Sequence, residues 1–207
     1  MNLFETLRAH GREIPDRVAT SSPRHRLTTF RKLWSRIERS SARMQGEWLV
    51  EPGDVVIYAG HAHPDALVLW LALARLGAVL VPLESAAMIG QAGNIAEQHD
   101  ARLLLHDDDM PALQSGDFCA CLPLSTLFAS RCDHEARDCR ESTADISLLQ
   151  LDPEAPHARQ AAFSIDSLLD HAGAPAAWPT AQALFDPQRL RQQILPALAQ
   201  GIPLAME

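Results

Sequence analysis

The chain has 207 residues and a formal net charge of −8, long enough to bury a real core as one large domain or two small ones. The charge is divided. Residues 1–45 carry ten Arg/Lys against four acids, and residues 46–207 carry eight against twenty-two, so the two parts are +6 and −14. The basic part reads as the solvated face of an amphipathic helix and its flanks rather than a nucleic-acid patch. No apolar run of signal length opens the chain, so a cytoplasmic location is expected.

In chain order, residues 3–10 suggest a short helix with Leu3, Phe4 and Leu7 on one face. A loop through Pro15 and Pro23 follows. Thr28 is the expected N-cap of a second helix, on which Phe30, Leu33, Trp34, Ile37, Ser41 and Met44 form one stripe. Residues 54–59 and 78–83 are short apolar runs rich in β-branched residues and bounded by Gly or Pro, and both predict buried strands. Between them, Pro64 suits a first helical turn, Asp65 favours its positive end, and Gly77 stands where a C-terminal cap belongs. Residues 66–74 are apolar on every face, so this helix must be covered on all sides. A membrane span over 66–83 is disfavoured, because Arg75 falls mid-run and Gly77 and Pro82 interrupt it.

Residues 87–98 read as a helix, 102–106 as a strand ended by Asp107, Asp108 and Asp109, and 118–122 as a weaker strand. The acid triplet reads as a solvated strand end rather than a cation site. Residues 130–143 are charged and aperiodic, which predicts a linker or loop. A strand over 145–151, helices over 164–171 and 194–198, a cap at Gly201 and a final strand over 202–206 complete the pattern. Cys119, Cys121, Cys132 and Cys139 are spaced by one, ten and six residues, which is no C-x-x-C zinc signature; they read as reduced thiols and no metal site is expected. His61 and His63 stand at a strand end, where ligands often bind in open sheets, yet a loop histidine pair reads first as structural.

The stretch 52–84, PGDVVIYAGHAHPDALVLWLALARLGAVLVPLE, resembles a recurring block of the adenylate-forming (AMP-binding) acyl- and aryl-CoA ligase superfamily. Its matching residues are Pro52, Gly53 and Asp54, then Pro64 and Asp65, then Leu73, Arg75, Leu76, Gly77, Ala78, Val79, Val81, Pro82 and Leu83. The second helix resembles the family's "LTY-EL" helix. Around Ala183, Leu184 and Phe185 the chain is similar to the family's "P-L-F-H-x-x-G" segment, with Asp186 where a histidine borders the acyl pocket. Leu195, Pro196, Leu198, Gly201 and Ile202 are similar to the segment that follows. The resemblance implies an α/β fold, a mainly parallel doubly wound sheet flanked by helices, like part of the ligases' N-terminal domain. The expected organisation is a ligase-like α/β subdomain over 1–129, a charged linker or loop over 130–143, and an incomplete second α/β part over 144–207.

In that family a strand corresponding to 145–151 leads into a phosphate-binding loop rich in Ser, Thr and Gly and closing with Pro-Lys-Gly. Glycines let N–H groups approach the phosphates, and hydroxyls and the lysine bind their oxygens. Residues 152–161 here are DPEAPHARQA: no glycine, no hydroxyl, two prolines that remove donors, and Gln160 where the lysine would stand. His157, Arg159 and Gln160 are the remaining candidates for phosphate contact, with Arg159 a substitute for the lysine one position early. Lys32 is the only lysine in the chain. The family's later motifs have no counterpart before Glu207, and no other catalytic constellation is found.

These observations predict a truncated, catalytically degenerate ligase relative, inactive alone, acting as a scaffold or partner subunit in an acyl or aryl acid pathway. The alternatives are half of a split AMP-forming acid–CoA ligase completed in trans by another chain, and a remnant without function. No cofactor is expected beyond weak ATP or AMP binding. A homo-oligomer or a protein partner is expected through Ile194, Leu195, Leu198, Ile202, Leu204 and Met206, with no nucleic acid and no membrane as partner.

Overall fold

The computed structural model describes residues 2–23, 27–110, 113, 119–129, 139, 141–152, 154, 160–170 and 184–206. Its centre is a six-stranded sheet of β3 (Val55–Ala59), β4 (Val79–Leu83), β5 (Leu103–His106), β6 (Ala120–Pro123), β7 (Ile146–Leu151) and β8 (Gln160–Ser164), in the order β6-β5-β3-β4-β7-β8. Five strands run parallel and β8 is antiparallel to β7. A small second sheet holds β1 (Val18–Ser21) between β2 (Thr28–Thr29) and β9 (Leu204–Ala205). The expected α/β fold with a mainly parallel sheet is what forms.

Strand alternation gives the large sheet two apolar faces. Val56, Tyr58, Leu80, Leu103, Leu105 and Leu148 belong to one cluster with helices α1 (Leu3–Glu13), α2 (Phe30–Gly46) and α3 (Pro64–Leu76). Ile57, Ala59, Val81, Leu83, Leu104 and Leu151 belong to the other, with the short helices α4 (Ala86–Ile89) and α5 (Ala92–Gln98).

Helix α3 is why the sheet has a thick side. Every residue from Ala66 to Leu76 is buried, because α2 covers one flank and β4 and β7 the other. Each fully buried Leu or Val contributes about 1.5–3 kcal/mol. The helix starts at Pro64, with His63 as N-cap, and stops at Gly77, whose φ of 79° is the left-handed cap that glycine adopts without strain. Ser41 on α2 donates to Ile37 O and to Ala72 O, joining the two helices.

Several elements differ from the sequence-based expectation. Thr28 lies in β2, and the N-cap of α2 is Thr29, whose side chain accepts from Lys32 N. The expected loop between α1 and α2 contains β1, which exists because β9 pairs with it in parallel. The single helix over 87–98 is two helices, α4 ending at Ile89 with Gly90 as its C-cap and α5 starting at Ala92. Gln160 and Ala161, expected in a loop, open β8, in register with β7 so that Leu151 faces Gln160, and Ser164, expected to start a helix, ends β8 as the N-cap of the short helix α6 (Ile165–Leu169).

The C-terminal helical segment is one run: α7 (Pro187–Arg189), a π-helical stretch Leu190–Ile194, and α8 (Leu195–Gln200). Pro196 has no N–H to continue the ladder, which accounts for the widened turn before it. The apolar residues expected to form an open partner surface here are turned inward. Ile194, Leu195, Leu198 and Leu204 are fully buried, Met206 is 1% exposed and Ile202 is half-buried, since they pack into the core shared with α1 and α2.

Residues 130–138 and 140, most of the expected charged linker, lie outside the described residues. Its end is held. The Glu141 carboxylate pairs with Arg8 Nη2 at 2.6 Å and Arg75 Nε at 2.9 Å, and both guanidinium groups stand over the Trp34 ring, at 5.0 and 5.5 Å. Burial alone would raise the Glu141 carboxyl, but the hydrogen bonds from Arg8 and Arg75 outweigh it and hold the group below its ordinary value. Among the described residues, no helix is long and apolar enough to cross a membrane.

Candidate functional site at the carboxyl edge of the sheet

Because β3, β4, β5 and β7 are parallel, their carboxyl ends share one edge, where open α/β sheets bind ligands. The residues that follow them are Gly60 to His63, Glu84, Asp107 to Asp109, and Asp152. Register fixes the neighbours: Ala59 lies opposite Leu83 on one side and His106 on the other.

A buried polar network sits at the junction of β3, β5 and α3. Tyr58 Oη donates to Asp107 Oδ1 at 2.6 Å and lies 3.0 Å from His61 O. His61 N donates to Asp107 Oδ2 at 2.8 Å. His63 Nε2 lies 2.8 Å from Asp107 Oδ1 and 3.0 Å from Tyr58 Oη. The tautomer follows from the other ring nitrogen: Nδ1 accepts from Asp65 N at 3.2 Å as the cap of α3, so Nε2 carries the proton and donates.

This network also explains Gly60, where a Cβ would collide with Tyr58 Oη and Asp107 Oδ2. Burial alone would raise the Asp107 carboxyl. The hydrogen bonds from His63, Tyr58 and the His61 N–H outweigh burial and hold it below the ordinary value. Burial and the Asp107 charge push the Tyr58 hydroxyl far up, so it remains a donor. The arrangement is a clasp. Both oxygens of Asp107 are occupied by the protein itself, and its chemistry is to fix the β3–α3 turn against the end of β5.

The histidine pair is thus divided: His63 is built into the clasp, while His61 contributes its backbone and leaves its side chain exposed. The acid triplet is divided too. Asp108 and Asp109 are exposed as expected, but Asp107 is 7% exposed, which corrects the reading of all three as solvated. Asp108 accepts from Ser125 Oγ at 2.7 Å.

On the other side of β3, residues 184–186 cross the edge. Phe185 is fully buried and meets Tyr58 and Trp70 edge to face at 6.3 and 6.4 Å. Its N–H faces the Glu84 carboxylate. Crowding by protein raises the Glu84 carboxyl, the Phe185 N–H opposes this, and the Asp186 charge adds to it; because the side chain keeps an exposed face, solvent limits the effect. Asp186 has a local task as well, its Oδ1 accepting from Gln188 N and Arg189 N as the N-cap of α7.

The segment where the family resemblance puts a phosphate loop joins β7 to β8 at this same edge. Asp152 Oδ1 accepts from Glu154 N at 2.9 Å. Of the three candidate residues, His157 and Arg159 lie outside the described residues. Gln160, expected in the loop together with Ala161, instead opens β8 and is exposed. Among the described residues, no group of three or more His, Cys, Asp or Glu side chains is placed to hold a metal ion. The buried Tyr58–Asp107 contact escaped sequence reasoning because 49 residues separate the partners; the signal present was the aspartate directly after a predicted strand.

The AMP-binding enzyme family matches residues 7–175. The chain is 30% identical over 117 residues to a D-alanine–D-alanyl carrier protein ligase of Bacillus licheniformis, a match covering 56% of this chain and 23% of that protein. Among solved structures it is similar to the N-terminal subdomain of Klebsiella oxytoca NpsA in complex with 3-hydroxybenzoyl-AMSN, with a TM-score of 0.75 and 21% identity over 99% of this chain and 53% of that one. It is also similar to o-succinylbenzoate CoA synthetase of Bacillus subtilis, with a TM-score of 0.76 and 13% identity over 98% of this chain and 43% of that one. The chain thus spans about half or less of the length of the relatives it matches, and these two structural likenesses concern the fold alone. With its parallel sheet, its 52–84 block and a family match over most of its length, the chain belongs to the AMP-binding enzyme family.

Proposed function

We propose that this chain is a non-catalytic member of the family, serving as a scaffold or partner subunit in a pathway that handles acyl or aryl acids. The observation that carries this reading is the composition of residues 152–161. Where a polyphosphate needs backbone donors, hydroxyls and a cation, this connection supplies Asp152, Glu154 and two prolines. The residues directly after β3, β4 and β5 add Glu84, Asp107, Asp108 and Asp109, and no Lys or Arg stands among them. A like-charge contact at 4 Å costs about 1 kcal/mol in water and about 4 at an intermediate dielectric. One Arg159 does not offset Asp152 and Glu154 together, so the residues present do not fit ATP.

The test is direct. Pure protein offered ATP, Mg²⁺ and a panel of small acids is expected to release no pyrophosphate above background, and calorimetry is expected to show ATP binding no tighter than roughly millimolar. Acid-dependent pyrophosphate release would overturn the reading. So would micromolar ATP affinity that survives Asp152→Ala and is lost with Arg159→Ala.

A second reading, half of a split ligase completed in trans, is favoured by one observation: residues 184–186 are held at the carboxyl edge of the sheet, with Phe185 against Tyr58 and its N–H facing Glu84. Pyrophosphate release that is absent from the pure chain and appears when a co-purifying chain is added back would establish it.

A further inference from the structure

At the amino edge of the large sheet, where α3 ends before β4 and residue 141 leads toward β7, three charged side chains meet. Arg8 Nη2 donates to both oxygens of the Glu141 carboxylate, at 2.6 and 2.7 Å, and Arg75 Nε donates to one of them at 2.9 Å. The charges do not balance. Among the described residues these are the only ion pairs of Arg8 and Arg75, so the cluster holds two cations against one anion. The Arg75 side chain is only 10% exposed, and its Nη1 is buried without a hydrogen-bond partner. A buried donor left unpaired is unfavourable, and Glu141 has no third oxygen to offer it.

We propose that Arg8 and Arg75 form a binding site for a dianionic phosphate group, free or as a monoester, and that the Glu141 carboxylate is the occupant it displaces. Such a group carries up to two negative charges and three strong acceptor oxygens. It therefore matches both guanidinium charges and supplies an acceptor beyond the two of a carboxylate. Guanidinium forks suit phosphate as they suit carboxylate, and the Trp34 ring, over which both stand at 5.0 and 5.5 Å, gives them a common platform.

The exchange leaves the chain in place. Glu141 is also held through its backbone, its N–H donating to Arg75 O at 3.1 Å and its carbonyl accepting from Asn2 Nδ2 at 3.0 Å, so its side chain can rotate out while these bonds persist. Its φ of 47° lies in the left-handed region and is unchanged by that rotation. The Arg8 side chain is 30% exposed, which gives the ligand its approach.

The experiment is calorimetric titration of the whole chain with phenyl phosphate at fixed ionic strength, with circular dichroism to confirm the fold of each variant. Wild type is expected to bind weakly, because Glu141 competes for the same donors. Glu141→Gln removes the competing charge and is expected to tighten binding at least about fivefold. In the Glu141→Gln background, Arg8→Gln is expected to weaken binding at least about tenfold. Arg8→Lys, which keeps the charge and loses the fork, should weaken it too, and serves alone if Arg8→Gln misfolds. Benzoate, with one charge and two oxygens, is expected to bind more weakly than phenyl phosphate. Inorganic phosphate separates the sources: tighter binding of the ester points to a phosphorylated molecule, and equal binding to free phosphate. No binding to Glu141→Gln at millimolar phenyl phosphate, equal affinity in wild type and Glu141→Gln, affinity untouched by either Arg8 substitution, or benzoate binding as tightly would each overturn the proposal.

Discussion

The centre of the large sheet and its β7–β8 margin are built on different terms. In the β3–α3–β4 unit the instructions are local: β-branched runs make the strands, Pro64 opens the helix, Gly77 closes it, and an all-apolar helix demands a cover that α2 provides. At the margin they are not. The β8 sequence, QAAFS, holds no β-branched residue, two alanines of low strand propensity and an exposed start, so it is a strand because β7 stands beside it. The difference teaches that the middle of this chain carries its fold in its local sequence, while the β7–β8 margin takes its strand from the neighbour beside it.

Breaking the centre should therefore cost far more than breaking the margin. Trp70 is fully buried, its Nε1 donates to Ser147 O at 3.2 Å, and its ring meets Phe185. Trp70→Ala is expected to destabilise by about 3–5 kcal/mol, with Ser147 O left unsatisfied. Phe163→Ala, at a half-buried position of the mostly exposed β8, should cost about 1 kcal/mol. Urea denaturation of both variants checks the pair, and equal losses would show that β8 belongs to the cooperative core.

The same contrast explains what was legible in the sequence. Periodicity and capping residues located α1, α2, α3, β3, β4, β5 and β7, because each has a local physical signature. The strands β1, β2 and β8 had none, being two to five residues long and stabilised by partners remote in sequence. Gly90 split a predicted helix because the chain turns there between α4 and α5, which no apolar spacing announces. The site was legible only as a location. His63 and Asp107 stood visibly at strand ends, but that they meet beneath Tyr58 depends on the β3–β5 register. Asp186, aligned by resemblance with a pocket histidine, turned out to cap a helix.

The clasp at the sheet edge sharpens the comparison with a pH signature. Asn at position 107 keeps one acceptor but turns an NH₂ toward either the His61 N–H or the Tyr58 and His63 donors. Asp107→Asn should cost about 2 kcal/mol near neutral pH. Asp107 is held below its ordinary value, so its contribution is fully present above the unfolded carboxylate range, about pH 4. It is lost as pH falls through the lower folded value. Wild type and variant should therefore converge in acid, which urea midpoints from pH 7 down to pH 3 would test. A constant gap throughout would mean that packing, not the charge, makes the difference.

Glu141 should behave alike with a smaller amplitude, since its side chain is 20% exposed. Glu141→Gln removes the carboxylate shared by Arg8 and Arg75 and is expected to cost about 1–2 kcal/mol. The sign is that of a lowered carboxyl, so stability is present above the unfolded range and lost in acid. Double substitution with Trp34→Leu should be non-additive, because both guanidinium groups lean on that ring. Strict additivity would separate the ion pairs from the stacking.

Glu84 carries the smallest effect and the opposite sign. Its carboxyl is raised by crowding and by the nearby Asp186 charge, against the Phe185 N–H. A raised carboxyl binds its proton more tightly in the folded state than in the unfolded one. Folding then loses stability as pH climbs from the unfolded Glu value toward the folded one, and the loss stays constant above both. Glu84→Gln removes that charge while keeping an acceptor for the Phe185 N–H, so it should stabilise at pH 7 by less than about 1 kcal/mol, the exposed face limiting the gain. Below the unfolded Glu range the two proteins should be equally stable. Thermal unfolding at pH 7 and pH 3 measures this, and a variant less stable than wild type at pH 7 would show instead that the Glu84 carboxylate holds residues 184–186 onto the sheet edge.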